Sequence, residues 1–174
     1  MHDAAHLTVA TTLPDEAATL AFAARLAYSQ CLAPGLVIWL EGDLGAGKTT
    51  LVRGLLRALG ETGPVKSPTY TLLEVHVVSG LHLYHFDFYR LNQPEEYLDA
   101  GLDDYFSGSG VCLVEWPGKA APYLPPADLL IELRVTDKPG SADGRQREII
   151  CHASSLRGRA CLTAATSSSS PPPA

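Results

Sequence analysis

Apolar positions along the chain change their spacing several times, and each change predicts an element. After Leu13-Pro14-Asp15-Glu16, the stretch Ala17 to Leu32 carries Leu20, Ala23, Ala24, Ala27 and Cys31 at helical spacing. Acids near its start complement the helix dipole, and Pro34-Gly35 breaks it. Leu36-Val37-Ile38-Trp39-Leu40 is a continuous apolar run, the mark of a strand buried on both faces. It leads directly into Gly42-Asp43-Leu44-Gly45-Ala46-Gly47-Lys48-Thr49-Thr50. Leu51, Val52, Leu55, Leu56 and Leu59 then form one apolar helix face, which Gly60 stops.

Beyond a loop at Lys66-Ser67-Pro68-Thr69-Tyr70, Thr71 to Val78 and Leu81 to Asp87 flank Ser79-Gly80, the pattern of a two-residue hairpin. Asn92-Gln93-Pro94-Glu95-Glu96 starts a helix that runs to about Ala100, with Pro in the first turn. Val111 to Glu115 is a short strand closed by Trp116-Pro117. Asp128 to Val135 and Gln146 to His152 predict two last strands, joined by a polar loop containing Lys138-Pro139-Gly140. From Ser154 onward Ala, Ser, Thr and Pro dominate, so residues 154–174 are expected to be a disordered tail on a domain of residues 1–153. Strands and helices intermixed around a central hairpin predict an α/β layered domain with a mixed sheet.

Composition narrows the function. With 174 residues, 46% hydrophobic and 18% charged, the chain suits one globular domain. No apolar run approaches the roughly 18 residues of a membrane span. Met1 to His6 lacks the basic start and apolar stretch of a secretory signal. Thirteen Lys and Arg face 19 Asp and Glu, a charge of -6, which argues against gripping nucleic acid unaided. The Arg residues are dispersed apart from a group at Arg145, Arg147, Arg157 and Arg159. Cys31, Cys112, Cys151 and Cys161 form no C-x-x-C pair. They predict reduced, hydrophobe-like cysteines, no structural zinc, and a reducing, cytoplasmic compartment.

Gly42 to Thr49 matches the phosphate-loop pattern G-x-x-x-x-G-K-[ST], and a chance match in a chain of this composition is worth about half a percent. The motif also follows a buried strand and opens a helix, as a phosphate site requires. Glycines let successive N–H groups approach phosphate oxygens, and the helix N-terminus favours an anion. Lys48 is expected to reach the β- and γ-phosphates, and Thr49 to place its hydroxyl on Mg²⁺. The metal needs a carboxylate, and two strand-end acids qualify, Asp87 and Glu115. Spacing does not choose between them. His82 and His85 fall on opposite faces of one strand, so they are expected to pack or hydrogen bond rather than chelate.

Four blocks occur in order: Gly42 to Thr50, Lys66-Ser67-Pro68-Thr69-Tyr70-Thr71, Tyr84-His85-Phe86-Asp87-Phe88-Tyr89-Arg90-Leu91, and Glu115-Trp116-Pro117. Over roughly residues 13 to 135 the chain resembles the bacterial TsaE (YjeE) family, small ATPases of the tRNA threonylcarbamoyladenosine pathway. The resemblance implies a single P-loop NTPase domain with a mixed, mainly parallel central sheet and flanking helices. It implies ATP and Mg²⁺ as ligands, with weak hydrolysis. It also implies partnership with the TsaB–TsaD transferase complex that modifies adenosine 37 of tRNAs reading ANN codons. Contact with tRNA would then be indirect, through that complex, and no membrane is involved. By motif, Gly45, Ala46, Gly47, Lys48, Thr49 and Thr50 bind phosphates, and Thr49 with Glu115 holds Mg²⁺. Lys48 and Asp87 are the catalytic candidates, Asp87 positioning metal-bound or attacking water. Thr69 lies in a loop suited to sensing the γ-phosphate. Trp116 packs near the nucleotide, against the partner surface, or in the core. One departure is Gly118, where the family often has an acid. Two other readings compete: a small-molecule kinase of the nucleoside-kinase type, and a nucleotide-switched binding module without turnover. The kinase usually needs an Arg-bearing lid, and between Thr69 and Arg134 the chain carries only Arg90.

Overall fold

Seven strands share one sheet in the computed structural model, which describes residues 6–29, 31–137 and 145–167. In chain order they are β1 (Leu7–Leu13), β2 (Val37–Glu41), β3 (Leu73–Val78), β4 (Leu81–Asp87), β5 (Val111–Glu115), β6 (Leu129–Asp137) and β7 (Arg145–Ala153). The helices are α1 (Glu16–Tyr28), α2 (Lys48–Ala58), α3 (Glu96–Asp99) and α4 (Leu156–Thr166), with a 3-10 turn over Leu102–Phe106. The polar loop at 138–144 and the terminal run 168–174 lie outside the described residues.

The sheet order is β1-β7-β6-β2-β5-β4-β3. Three of its six pairings are parallel, and they join the four central strands. The other three are antiparallel. The sheet is mixed, as expected, with parallel pairing confined to its middle. The reason is connection length. β3 and β4 are joined by Ser79-Gly80, both at positive φ (53° and 77°), and so tight a turn only permits antiparallel pairing.

The central strands are buried on both faces. Along β5, Val111 and Leu113 enter one core with α1, α2 and α4, while Cys112 and Val114 enter a second core with Phe86, Phe88 and Tyr97. β2 divides likewise, with Ile38 and Leu40 on the first side and Val37 on the second. This is why both sequences are unbroken apolar runs. Burial pushes the Cys112 and Cys151 thiols up to about 12, so both remain protonated hydrophobes.

Three expectations need correction, and one strand had none. The first helix is shorter than Ala17 to Leu32. Asp15 caps it by accepting from the Ala18 N–H at 2.8 Å, and the backbone turns extended at Ser29. β1 carries no sequence expectation, because Leu7, Thr8, Val9 and Ala10 alternate only weakly. Antiparallel pairing with β7 makes it a strand. Residues 154–167 are ordered where a disordered tail is expected. Ser155 caps α4 by accepting from the Gly158 N–H at 3.0 Å, and Cys161, Leu162 and Ala165 are buried in the core. Small residues that resemble disorder by composition serve here for close packing against α1. Finally, Cys31 and Cys161 are joined as a disulfide, with Cα atoms 5.4 Å apart, rather than both being reduced. The fold brings together residues 130 positions apart, a pairing invisible to spacing.

The docking of α4 makes a prediction. A Cβ at Gly158 would overlap the Asp128 carbonyl. Asp128 in turn accepts from the Val37 N–H at 3.0 Å and from the Ser155 hydroxyl at 2.5 Å. Gly158→Ala is expected to cost about 1–3 kcal/mol by overpacking. Urea unfolding measures this, and an unchanged midpoint would mean that α4 does not dock here.

Candidate active site

The carboxyl end of β2 runs into the loop Gly42–Gly47, and α2 begins at Lys48. Gly42 has φ +146° and lies against β6, where a Cβ would collide with the Leu133 carbonyl. Gly47 caps α2 in the left-handed region, φ 109°. No L side chain is readily accommodated at either position. Lys48 is only 4% exposed. Its Nζ donates to the Gly42 and Asp43 carbonyls at 2.6 and 2.9 Å and sits 4.1 Å from the centre of the Trp116 ring. Burial pulls its ammonium below the ordinary lysine range, while Glu115, Asp87 and Asp43 push it back up.

β4 and β5 end side by side, so Asp87 and Glu115 are register partners on neighbouring parallel strands. They are 3% and 2% exposed. Two buried carboxylates this close require donors or a cation. Glu115 accepts from the Thr49 hydroxyl at 2.8 and 3.1 Å, and its Oε1 is 2.8 Å from Nε2 of the buried His85. Asp87 accepts from the Ser67 hydroxyl, from the Thr69 hydroxyl at 3.1 Å, and from the Tyr89 N–H at 2.9 Å. Trp116, directly after β5, adopts φ 59° and packs its ring 5.0 Å from that of Tyr89. These groups surround a cavity of about 440 Å³, which Leu44, Arg90 and Arg147 also line.

A family model described as Threonylcarbamoyl adenosine biosynthesis protein TsaE matches residues 13–148. The chain belongs to the TsaE family. It is 43% identical over 141 residues to the tRNA threonylcarbamoyladenosine biosynthesis protein TsaE of Haemophilus influenzae, covering 79% of this chain and 86% of that one. The Nostoc TsaE is 42% identical over 141 residues, covering 79% and 82%. A crystal structure of Bacillus subtilis YdiB superposes with a TM-score of 0.70 at 32% identity, over 92% of this chain and 95% of that one. The chain is thus a member of a tRNA threonylcarbamoyladenosine biosynthesis family, with the family's α/β fold.

Of the residues singled out in the sequence, Gly45, Gly47, Lys48, Thr49, Thr50, Thr69, Asp87, Glu115 and Trp116 line this cavity. Ala46 lies beneath it, 1% exposed, with its carbonyl turned to Arg147. Gly118, where the family often has an acid, falls in a 3-10 turn after β5. His82 and His85 do diverge across β4, as their spacing demands: His85 is buried and His82 exposed. Arg90, the sole candidate for a kinase lid, lies 4.1 Å over the exposed Tyr70 ring. Sequence reasoning missed the parts played by Ser67, His85 and Arg147. Ser67 had a signal, its place beside Thr69 in one of the four blocks. His85, expected to pack or hydrogen bond, lies in another of those blocks, but its partner Glu115 is set by strand pairing; Arg147 reaches the site through β7, and nothing in its local spacing marks it.

Proposed function

We propose that the chain binds ATP with Mg²⁺ in this cavity, hydrolyses it weakly, and so supports threonylcarbamoyl modification of adenosine 37 in tRNAs reading ANN codons. It acts there in the cytoplasm with the TsaB–TsaD transferase pair. The observation that carries the reading is the Thr49–Glu115 contact, 2.8 Å, at the mouth of a glycine loop that opens α2.

The residues fit both ligands. Backbone N–H groups from Gly45 to Thr50 stand at the N-terminus of an 11-residue helix, where an anion is favoured. Hydroxyl and carboxylate oxygens from Thr49 and Glu115 are the hard donors that Mg²⁺ takes, and the ion commonly completes its shell with phosphate and water. Bound there, Mg²⁺ would neutralise charge on the β- and γ-phosphates. Lys48 would exchange the Gly42 and Asp43 carbonyls for phosphate oxygens. Its partly desolvated ammonium attracts an anion more strongly than a fully hydrated one. Asp87, held by Ser67, Thr69 and the Tyr89 N–H, presents a fixed carboxylate that orients an attacking water. Thr69 links that acid to the loop before β3, so a γ-phosphate contact there would be felt by the loop. Partner affinity then follows the nucleotide state. A cytoplasmic setting rests on the tRNA pathway and not on cysteine usage.

The charge of -6 leaves little counterion release to drive RNA binding, so tRNA is met through the complex. Filter binding at physiological salt is expected to show weak association of the isolated chain with tRNA. Multiple-turnover modification by the transferase pair is expected to stall without the chain. Submicromolar tRNA affinity would overturn the charge argument. Undiminished turnover without the chain would overturn the supporting role.

A further inference from the structure

The last helix, α4, meets the end of α1 at three points. Arg25 Nε donates to the Ala165 carbonyl at 2.8 Å, and Arg157 Nη1 donates to the Pro34 carbonyl at 3.2 Å. Between these two contacts along α4, Cys161 is bonded to Cys31. Cys161 is fully buried, with Leu162 and Ala165 beside it in the core. Cys31 is partly exposed, in the turn that follows α1. Their Cα atoms, 5.4 Å apart, stand inside the usual disulfide range, so the backbone accepts the bond where it is.

Two features separate this pair from a bond that only holds the fold. First, α4 is anchored without it. Ser155 caps the helix and also donates to Asp128, the two arginines hold its flanks, and Leu162 and Ala165 are buried. A thiol behaves as a small hydrophobe, so the reduced pair suits the same place. Second, the four cysteines divide by access. Cys112 and Cys151 are buried, and burial pushes both thiols up to about 12, which leaves them inert. Cys31 alone of the four is not buried.

Resting on the cytoplasmic setting given above, we propose that Cys31 and Cys161 form a reversible thiol–disulfide site, oxidised by glutathione disulfide and reduced by glutathione, that fastens α4 to α1. In a reducing compartment a protein disulfide is usually transient rather than permanent. The Cys31 thiolate attacks one sulfur of glutathione disulfide. A mixed disulfide forms at Cys31, and one glutathione thiolate leaves and takes up a proton. Cys161 then loses its proton and attacks the Cys31 sulfur, and the bond to the second glutathione breaks. Two protein thiols are oxidised and one glutathione disulfide is reduced to two glutathione molecules. Access sets the order: an outside reagent reaches Cys31, and buried Cys161 resolves the mixed disulfide. In the reduced chain only noncovalent contacts hold α4, so the helix opens more readily.

The test equilibrates the full chain in glutathione buffers of graded oxidised-to-reduced ratio. Acid quenching, alkylation of the denatured chain and peptide mass then count the free thiols. The Cys31–Cys161 pair is expected to pass from reduced to oxidised within the cytosolic range of glutathione poise, while Cys112 and Cys151 remain thiols throughout. Hydrogen exchange of the α4 amides is expected to be at least about tenfold faster in the reduced form, with the central strands unchanged. In Cys161→Ala, shown to be folded by thermal unfolding, Cys31 is expected to retain one glutathione. A pair that stays reduced even at the oxidising end would overturn the site and leave the cytoplasmic setting standing. A pair that stays oxidised at the reducing end is a permanent bond, and both the proposal and that setting fall. Equal α4 exchange in the two forms would remove the fastening role. A folded Cys161→Ala chain without glutathione would overturn Cys31 as the point of attack. No nucleotide enters these measurements, so the ATP reading stands or falls separately.

Discussion

Glu115→Gln is expected to weaken Mn²⁺ binding to the ADP complex by about 100-fold, roughly 2.7 kcal/mol. Asp87→Asn is expected to weaken it far less. Replacing a carboxylate by its amide removes a charge and keeps the shape, so the metal contribution is isolated. The two acids differ in their neighbours. Glu115 faces Thr49, the hydroxyl of the phosphate loop, at 2.8 Å. Asp87 is engaged by Ser67, Thr69 and the Tyr89 N–H, all outside that loop. The amide oxygen of glutamine can still accept from Thr49, so the fold is expected to survive. Electron paramagnetic resonance of Mn²⁺ gives the affinities. Loss confined to the Asp87 variant would reverse the assignment of the two acids.

Lys48→Ala is expected to abolish detectable ATP turnover, a loss of about 100-fold or more, because a preorganised cation beside a reacting phosphate commonly contributes about 3 kcal/mol or more. Thr49→Ala is expected to lower Mg²⁺-dependent ATP binding by about tenfold, the scale of one lost hydrogen bond to a charged group. Neither change should unfold the domain. Lys48 hydrogen bonds to two carbonyls of its own loop and lies over the Trp116 ring, and Thr49 contributes one hydroxyl to Glu115. Calorimetric titration and single-turnover hydrolysis measure both effects, with thermal unfolding as the control. Parent-like affinity and hydrolysis in both variants would remove the phosphate-site assignment.

Much of the site was legible because its signals are local. The phosphate loop lies within nine consecutive residues between a buried strand and an amphipathic helix. Asp87 and Glu115 end apolar strands, and strand ends are where a layered α/β sheet gathers its ligands. The partners of those acids were less visible. His85 meets Glu115 only because β4 and β5 pair in parallel with a register that sets His85 against Leu113 and Asp87 against Glu115. Arg147 reaches Ala46 across 101 positions of sequence, through an antiparallel strand whose own pattern is a modest alternation.

By itself the sequence determined the central architecture and the chemistry of the phosphate loop. Continuous apolar runs at Val37–Glu41 and Val111–Glu115 have no stable place except in a doubly covered sheet. Glycines at 42 and 47 answer backbone demands that no other residue meets comfortably. Tertiary structure alone decided β1 and α4. β1 is a strand because β7 offers it a hydrogen-bonding edge, and α4 is a helix in place because Ser155 caps it and α1 covers Cys161, Leu162 and Ala165. Such elements have weak intrinsic signals, since their stability comes from long-range burial and pairing that local propensity does not encode. The same reason hid the Cys31–Cys161 bond, the contact of buried His85 with Glu115, and the place of Arg147 on the cavity wall.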